Sequence, residues 1–403
     1  MYELIWNGKT ISKEKYASPV TTTFSVEEDY QSENMLISGD NLEVMKHLKR
    51  THSGAFKMIY IDPPYNKGGN YIYDDEFTNH DHWLNMMYPR LMLARDLLRE
   101  DGVICISVDQ TEAHNVIHLC TEIFGASNRI TDLIWKKKGG AKGVPPINFV
   151  TVTHEFIVCF AKDAKKFKFR GDLRDTGKFS NPDQDPRGPW RPEPMQSSVI
   201  GKAKSKITDP KTGKVYEKAW AFSDKKILEM LSDDRILFGT SVKQKKFLSD
   251  YSNPHQPICS NLDPEAVGFT TSGAADLKKL FGTKDVMSFP KPVKLMCWLI
   301  QQCTNEGDMV LDFFAGSGST VQGCFNAMAK DGKERKWVVV QLPLPLTPND
   351  STHEPAREFL RNLGKPEELI QITKERIVRA RDFEYAGVTG NKHKNAFNFC
   401  KVV

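Results

Sequence analysis

The chain has 403 residues with a formal net charge of +5, and 27% of its residues are charged. This length accommodates one large domain or two. A mean hydropathy of −0.46 and the lack of any apolar run long enough to cross a bilayer predict a soluble protein with no membrane contact. The first residues lack a basic stretch followed by an apolar core, so we expect no secretory signal and a cytoplasmic location.

Eight cysteines are scattered along the sequence without a Cys-x-x-Cys pair. Several fall in apolar segments such as 103–107 and 156–160, where a thiol behaves as a small buried hydrophobe. We therefore predict reduced core cysteines, with neither a disulfide framework nor a zinc site. The stretch 79–82, Asn-His-Asp-His, has no further ligand cluster near it, and we interpret it as the solvated start of a helix. We predict no metal site.

Residues 1–33 are polar and irregular, and we interpret them as an N-terminal arm. The core begins with a predicted strand over 35–38, followed by Asp40 and Asn41 and by a helix over about 42–50. Either residue suits the N-cap of that helix. A carboxylate or amide at a strand end is also well placed to hold a hydroxyl or amino group of a ligand, so both roles are compatible.

The stretch 56–66, Phe-Lys-Met-Ile-Tyr-Ile-Asp-Pro-Pro-Tyr-Asn, predicts a buried parallel strand that ends at a stiff turn. Pro63 and Pro64 end the strand and fix the turn, and the carboxyl ends of parallel strands are where open α/β sheets place their chemistry. Asp62 offers hydrogen-bond acceptors and Tyr65 a π face, which suits a planar ligand with an amino group, such as a nucleobase. The alternative is a rigid turn in which Asp62 caps the next segment.

Strand and helix patterns alternate through the rest of the first half, which predicts a doubly wound sheet. The predicted elements are a helix over 83–99 ended by Gly102, a strand over 103–108, a helix over 112–124, and strands over 130–135 and 155–160.

The segment from about 162 to 288 is rich in Lys, Arg, Asp, Pro and Gly, with isolated aromatic residues and a weak helical period. A basic run over 136–142 precedes it. Basic residues interleaved with aromatic ones suit a surface that holds phosphates and stacks bases. A loop-rich insert with solvated charges is the alternative interpretation. The sequence pI of about 8.6 suits nucleic acid without establishing it.

Regular patterns return near residue 290. The predicted elements are a helix over about 290–303, a strand over 309–314, a glycine loop over 315–320 leading into a helix to about 329, a strand over 337–341 and a helix over about 367–381. The last twenty or so residues carry no clear pattern. The loop lacks the third glycine of Gly-x-Gly-x-x-Gly, which disfavours a dehydrogenase, and no Gly-Lys-Ser or Gly-Lys-Thr follows, which argues against a P-loop.

Asp62–Tyr65, with the sequence Asp-Pro-Pro-Tyr, and Phe314–Gly318, with Phe-Ala-Gly-Ser-Gly, together resemble the paired motifs of amino-group DNA methyltransferases that use S-adenosylmethionine. Their order, with the catalytic motif first, a variable insert next and the cofactor motif last, is similar to that of the β class. The chain resembles most closely the modification subunits of type III restriction-modification systems. Supporting stretches are 39–42, 60–66, 83–90 and 374–376.

This resemblance implies an α/β fold with a doubly wound, mostly parallel sheet of the methyltransferase type, circularly permuted. The implied domains are an N-terminal arm (1–33), a catalytic half (34–161), a target-recognition insert (162–288), a cofactor-binding half (289–385) and a C-terminal tail (386–403). The implied activity is methyl transfer from S-adenosylmethionine to the N6 amino group of adenine in double-stranded DNA. The implied partners are a restriction subunit and a second copy of the chain.

The resemblance also assigns the site residues. Asp62 and the Pro63 carbonyl would accept hydrogen bonds from the adenine amino group, Pro64 would stiffen the turn, and Tyr65 would stack on the flipped base. The cofactor residues are Asp40, Asn41, Lys294, Asp312, Phe314, Ala315, Gly316, Gly318 and Gln341. The DNA-binding residues are Lys136, Lys137, Lys138 and Lys142. Lys294 would pair with the methionine carboxylate, with Lys291 as its rival, and Gln341 stands where many relatives have an acidic residue.

Three alternatives remain open at the level of sequence. Cytosine N4 has nearly the same chemistry, although Asp62 rather than Ser before Pro-Pro-Tyr favours adenine by resemblance. A DNA-binding relative without catalysis and an RNA methyltransferase are the others. Modification subunits usually continue well beyond residue 403, so we also expect a C-terminal part to be absent.

Overall fold

The computed structural model describes residues 3–67, 77, 79–140, 149–386 and 396–403. The chain divides into two compact units, one formed by Met1–Arg170 with Cys259–Val403 and the other by Gly171–Ile258. The second unit is shorter at both ends than the predicted insert, because residues 162–170 and 259–288 belong to the first unit.

The helices of the described ranges vary from four to eighteen residues, and none of them is long and apolar enough to cross a membrane. They are α1 (Lys9–Ala17), α2 (Asn41–His52), α3 (His80–Leu97), α4 (Ala113–Phe124), α5 (Asp224–Ser232), α6 (Pro264–Val267), α7 (Thr270–Phe281), α8 (Val293–Cys303), α9 (Ser319–Asp331), α10 (Glu354–Asn362) and α11 (Leu369–Ala380).

The strands of the described ranges are β1 (Phe24–Glu28), β2 (Met35–Ser38), β3 (Phe56–Ile61), β4 (Leu98–Val108), β5 (Arg129–Lys136), β6 (His154–Ala161), β7 (Asp172–Leu173), β8 (Trp190–Pro194), β9 (Ser205–Thr208), β10 (Val215–Lys218), β11 (Ile236–Leu237), β12 (Lys243–Phe247), β13 (His255–Gln256), β14 (Met309–Asp312), β15 (Lys336–Gln341) and β16 (Asn398–Val402).

Within the described part of the first unit, nine strands form one sheet in the order β1-β16-β2-β15-β14-β3-β4-β6-β5. The central pairs from β16 to β4 are parallel, whereas β1, β5 and β6 pair antiparallel. Every residue of β3 is buried, as expected for a strand covered on both faces. The predicted α/β fold with a mostly parallel sheet is confirmed.

The sheet order explains how two motifs distant in sequence meet. β14 lies beside β3 in parallel, with Val310 opposite Met58 and Leu311 opposite Ile59. The turn that starts at Asp62 and the glycine loop therefore leave neighbouring strands at the same edge of the sheet. In open α/β sheets this carboxyl edge is where ligands bind.

Two local predictions differ from the structure. Residues 1–33 are not wholly irregular, since they contain α1 and β1, and β1 pairs with β16 in the tail that showed no pattern. Gly102 does not end a helix, because α3 ends at Leu97 and Gly102 lies inside β4. A Cβ there would lie 2.9 Å from the Phe56 carbonyl oxygen, so close packing against β3 accounts for this glycine.

The second unit is more ordered than a loop-rich insert. Its described strands form small antiparallel sheets, β11-β12-β8, β10-β9 and β13-β7. A compact core supports the unit and includes Trp220, which has 3% of its surface exposed. The other members of that core are Met195, Ile207, Ile227, Met230, Ile236 and Val242.

Candidate active site

The turn after β3 is held rigidly in place. Its prolines restrict the backbone, and the Trp83 indole Nε1 donates a hydrogen bond of 2.7 Å to the Pro64 carbonyl oxygen. At the end of the turn, Asn66 adopts a positive φ of 59° and its amide donates to the buried Glu112 carboxylate at 2.7 Å. The positions of Asp62 and Tyr65 are therefore fixed by contacts on both sides of the turn.

Asp62 is contacted by two partners at the same oxygen. Its Oδ1 accepts from the Tyr65 hydroxyl at 2.8 Å and lies 2.8 Å from Lys291 Nζ. Within the described residues its Oδ2 has no hydrogen-bond partner. Burial raises the pKa of Asp62, and the charge of Lys291 opposes that rise. One oxygen of the carboxylate is thus anchored, while the other is available to a donor from a ligand.

Glu155 completes this cluster and was missed in the sequence. It lies at the start of β6 with 8% of its surface exposed. Its Oε2 lies 3.1 Å from the Tyr65 hydroxyl, whose single proton it shares with Asp62, and its carboxylate pairs with Lys137 at 3.1 Å and Lys291 at 3.4 Å. Although burial opposes its ionisation, the two lysines hold its pKa below the usual value. A glutamate at the head of an otherwise apolar strand is the signal that could have found it.

The glycine-loop strand ends in a second buried carboxylate. Asp312 Oδ1 accepts from the Phe314 backbone N–H at 2.9 Å, and its Oδ2 accepts from the Thr320 hydroxyl at 2.5 Å. Burial raises the pKa of Asp312 to about 7. The side chain therefore joins the start of α9 to the end of β14 and titrates near neutral pH.

The glycine loop itself needs its glycines. Gly316 and Gly318 have φ values of 53° and 87°, which side chains disfavour, and Gly318 is the N-cap of α9. The Gly316 carbonyl accepts from the Thr373 hydroxyl at 2.6 Å. The loop thus leads directly into the N-terminus of α9, and helix N-termini are favourable places for anionic groups.

Arg376 of α11 supports the same loop from behind. It is fully buried and donates to Ser317 Oγ at 2.5 Å, Ser319 Oγ at 2.9 Å and Gln322 Oε1 at 2.7 Å. Burial lowers its pKa to about 10. The sequence indicated this residue only through the resemblance of stretch 374–376, because a fully buried arginine cannot be recognised without the fold.

Asp40 and Asn41 fulfil structural roles at this edge. Asp40 is the N-cap of α2 and accepts from the Leu42 N–H at 2.8 Å. The Asn41 amide donates to the Phe313 carbonyl at 2.7 Å, and Arg90 Nε donates to Asn41 Oδ1 at 2.5 Å. The N-cap interpretation of Asp40 is therefore confirmed, and Asn41 connects α2 to the glycine loop.

A cavity of about 310 Å³ lies between these elements. Its walls include nine of the residues proposed from the sequence, namely Asp40, Asn41, Asp62, Pro64, Asp312, Phe314, Ala315, Gly316 and Gln341. Gly318 is not part of the wall and acts as the helix cap instead. Lys294 is exposed and does not line the cavity, whereas its rival Lys291 does. We call this space the glycine-loop cavity.

A second cavity of about 360 Å³ lies on the other side of Asp62. Its walls are Asp62, Pro63, Tyr65, Lys67, Trp135, Lys137, Lys138, Glu155, Thr270, Thr271, Phe289 and Lys291. We call it the tyrosine cavity. Asp62, Phe289 and Lys291 line both spaces, so the two cavities share one wall.

The predicted basic run divides between different positions. Lys137 and Lys138 line the tyrosine cavity, with Lys137 paired to Glu155, whereas Lys136 ends β5 and lines neither cavity. Lys142 lies outside the described residues. Asn79 is the N-cap of α3 and accepts from the His82 N–H at 3.0 Å, as the interpretation of that stretch as a helix start predicted.

The profile of the DNA methylase family, which covers N6 and N4 methyltransferases, matches residues 56–330. The Mod subunit of the type III restriction-modification enzyme StyLTI from Salmonella typhimurium is 29% identical, over 86% of this chain and 59% of its own length. The EcoP15I Mod subunit from Escherichia coli is 29% identical over 94% and 69%. The EcoPI Mod subunit from Escherichia phage P1 is 30% identical over 84% and 63%.

The chain spans between 59% and 69% of the length of these three relatives. The family match begins at the first residue of β3 and extends through α9. It therefore contains the Asp62 turn, the tyrosine cavity and the glycine loop. The chain belongs to the N6 and N4 DNA methylase family.

Proposed function

We propose that this protein transfers a methyl group from S-adenosylmethionine to the N6 amino group of adenine in DNA. The observation that carries the proposal is the position of Asp62 in the wall shared by the two cavities. A methyl donor in the glycine-loop cavity and a base in the tyrosine cavity would meet at this carboxylate. Family membership supports the same activity.

The side chains of the glycine-loop cavity fit S-adenosylmethionine, whose ends carry an ammonium group and an adenosine. Asp312 and Asp40 provide carboxylates, and Gly316 and Ser317 of the glycine loop form part of the wall. We propose that Asp312 holds the ammonium group, Asp40 lies near the adenine and Phe314 packs against the adenosine. Gln341, at the end of β15, can hydrogen-bond the ribose hydroxyls through its amide.

For the target base, we propose that the tyrosine cavity holds an adenine flipped out of the duplex. An enzyme cannot reach the amino nitrogen inside the helix, and a flipped base needs a stacking surface. Tyr65 provides that surface, and Asp62 Oδ2 and the Pro63 carbonyl are the proposed acceptors for the amino group. The fixed turn after β3 keeps these groups in one arrangement before the base arrives.

The adenine amino nitrogen is a poor nucleophile because its lone pair is delocalised into the ring. When bound, S-adenosylmethionine supplies an electrophilic methyl group. Hydrogen bonds to Asp62 and Pro63 would localise the lone pair on nitrogen and orient it for in-line attack. The C–N bond would form as the bond between the methyl carbon and sulfur breaks, with its electron pair going to sulfur. The nitrogen would then lose one proton, for which Asp62 Oδ2 is the proposed acceptor. Lys291 favours the ionised carboxylate that this role needs.

We propose Gly171–Ile258 as the folded part of the target-recognition insert predicted over 162–288, between a catalytic half and a cofactor-binding half. Exposed lysines on the hairpin of β9 and β10 support contact with DNA phosphates. The matched relatives are named Mod subunits of type III restriction-modification enzymes. We therefore propose a restriction subunit as partner, and a homodimer remains a prediction.

The test is transfer of a labelled methyl group from S-adenosylmethionine to genomic DNA from a host without adenine methylation, followed by analysis of the nucleosides. We expect N6-methyladenine. Detection of N4-methylcytosine instead would identify cytosine as the target base. In a parallel assay with RNA, label on RNA but not on DNA would identify RNA as the substrate. Absence of transfer together with intact DNA binding would favour a DNA-binding protein without catalysis.

A further inference from the structure

Lys291 has contacts that a simple ligand for the methionine carboxylate would not need. Its ammonium group lies 2.8 Å from Asp62 Oδ1, donates to the Tyr65 hydroxyl at 2.8 Å, and lies 3.4 Å from Glu155 Oε2. Only 8% of the residue is exposed. Asp62 and Tyr65 belong to the turn that would present the base, and Glu155 belongs to β6, which is separated from β3 by β4 in the sheet.

The backbone of Lys291 is fixed by close packing. α7 passes so close to the preceding residue that a Cβ on Gly273 would lie 1.9 Å from the Pro290 carbonyl oxygen. The ammonium group also lies over two aromatic rings, 5.0 Å from the centre of Tyr65 and 5.6 Å from that of Trp135. This lysine therefore has little freedom to reach elsewhere.

Glu155 is equally constrained. It pairs with Trp135 in the antiparallel register of β6 and β5, and the Trp135 indole is held by the Gly268 carbonyl at 2.8 Å. Its carboxylate is shared between the Tyr65 hydroxyl and two lysines. β6 thus holds the Glu155 carboxylate in a fixed position, where it contacts the same Tyr65 hydroxyl and Lys291 ammonium group as Asp62 does.

We propose that Lys291 and Glu155 are positioning residues for the methyl transfer. Lys291 anchors Asp62 Oδ1, so that Oδ2 faces the amino group of the base. Glu155 anchors Lys291 and the Tyr65 hydroxyl, which sets the stacking ring relative to that acceptor. This inference rests on the proposed function and adds two residues that act through Asp62 and Tyr65.

In this arrangement Lys291 and Glu155 have opposite effects on the pKa of Asp62. Among the described residues, the groups that interact electrostatically with Asp62 are Lys291 from the loop before α8, Glu155 from β6, Tyr60 and Tyr65 from β3 and its turn, and Asp312 from β14. Lys67, Lys137 and Lys138 line the tyrosine cavity with it. Lys291 favours the ionised carboxylate, whereas Glu155 disfavours it. Removing one charge or the other must therefore move the titration of Asp62 in opposite directions.

The experiment measures the pH dependence of kcat/KM for DNA methylation by the full chain. Ionised Asp62 is the active form, so activity falls as the pH drops through its pKa. In Lys291→Met the acid limb should move to higher pH by about one unit, and in Glu155→Gln to lower pH by a smaller amount. Lys291→Arg retains the charge and should return the limb towards the wild-type position.

Glu122→Gln is the matched control. Glu122 is also partly buried and paired with a lysine, Lys9, at 2.8 Å, but it lines neither cavity. We expect this variant to lose stability without a shift of the acid limb.

The inference would be overturned if Lys291→Met and Glu155→Gln both lost activity while the acid limb of each pH profile stayed at its wild-type position. So would a Lys291→Met variant whose only defect is weaker S-adenosylmethionine binding, since this would assign Lys291 to the cofactor. If Lys291→Met does not fold, the other two variants still decide: the inference requires a limb at lower pH in Glu155→Gln and a limb near the wild-type position in Lys291→Arg. These outcomes presuppose an active wild-type protein, so an inactive wild type refutes the proposed function instead.

Discussion

The two units of the chain differ in strand length and in the size of their cores. The first unit builds a nine-stranded sheet from strands of four to eleven residues, among which β3 is wholly buried, and its site residues lie at strand ends and in turns. The second uses strands of two to five residues and a small core around Trp220. Many of its aromatic residues contact cations, such as Arg187 and Arg235 against Phe247.

On the proposed function, this difference assigns the chemistry to the first unit and the recognition of DNA to the second. A sheet edge fixes a carboxylate to within a fraction of an ångström, which methyl transfer requires. Short hairpins with exposed lysines tolerate substitution at many positions, which a changing target sequence requires. Substitutions in the first unit should therefore affect every DNA sequence alike, and substitutions in the second should act through DNA binding.

The largest effect is expected from Asp62→Ala. Removal of the acceptor should lower the turnover by at least about 100-fold, while S-adenosylmethionine binding, measured by calorimetry, stays largely intact. The control is Asp285→Ala, an exposed aspartate of the same unit that lines neither cavity. Methyl transfer at the wild-type rate by Asp62→Ala would end the catalytic assignment.

The next effect concerns the glycine loop. Arg376→Met removes three hydrogen bonds to Ser317, Ser319 and Gln322, and we expect the Kd for S-adenosylmethionine to rise by about 10-fold or more. Arg335→Met is a matched control, since Arg335 is also fully buried but pairs with Asp331 away from the cavity. An equal rise in the Kd for S-adenosylmethionine in both variants would indicate that the effect comes from a general loss of stability.

A smaller effect is expected in the second unit. Lys211 and Lys214 are exposed in the turn between β9 and β10. Replacing both with Gln should weaken DNA binding by about 10-fold at moderate salt and lower the slope of log K against log salt by about two. Cofactor binding should not change.

Replacement of Lys225 and Lys226 on α5 of the same unit removes the same charge and serves as the control for the hairpin variant. If both double variants lower the salt slope equally, the hairpin has no special contact with DNA. A hairpin variant that weakens cofactor binding would contradict the separation of the two units.

The basic run beside the tyrosine cavity offers a further contrast. Lys137 is paired with Glu155 at 3.1 Å, so its charge is already partly neutralised. We expect Lys138→Gln to reduce the salt slope of DNA binding by about one, and Lys137→Gln by less. Identical slopes for wild type and Lys138→Gln would remove this run from the DNA interface.

The smallest effect is a pH dependence of cofactor affinity. Because burial raises the pKa of Asp312 to about 7, this side chain is mostly protonated at pH 6 and mostly ionised at pH 8. The ionised form attracts an ammonium group, so affinity for S-adenosylmethionine should rise several-fold over that range. Asp312→Asn should flatten the profile, whereas Asp308→Asn, buried before the same strand, should not.

Asp312 also affects the stability of the protein without ligand. Its pKa in the folded state lies above that of an unfolded aspartate, so its contribution to stability is present below about pH 4 and is lost as the pH rises through about 7. Urea unfolding at several pH values would measure this, with Asp312→Asn as the variant that removes the dependence.

The sequence predicted the elements whose apolar period is strong. The bounds of β2 match the prediction, and the strand before Asp62 was also found, because buried parallel strands read as short apolar runs. β1 and β16 were missed, since their pairing joins residues such as Phe24 and Val402 that are distant in sequence. The short strands of the second unit were missed because their residues are mostly polar.

The same division applies to the site. Asp62 and Tyr65 were found from a local pattern that only a special turn explains. Lys291 and Arg376 acquire their roles through partners on other elements, and no local pattern reports such contacts. For Glu155 the only local signal was a glutamate at the head of an apolar strand. Lys294 and Lys291 are three residues apart, and only the direction of each side chain decides which of them lines the cavity.

The shared wall between the cavities has a thermodynamic consequence. Phe289 lines both spaces with a φ of 48°, a conformation that costs on the order of 1 kcal/mol for such a residue. If an occupant of one cavity shifts Phe289, Asp62 or Lys291, it changes the free energy of binding in the other. By linkage the factor is the same in both directions, so whatever S-adenosylmethionine does to the affinity for DNA, DNA must do to the affinity for S-adenosylmethionine.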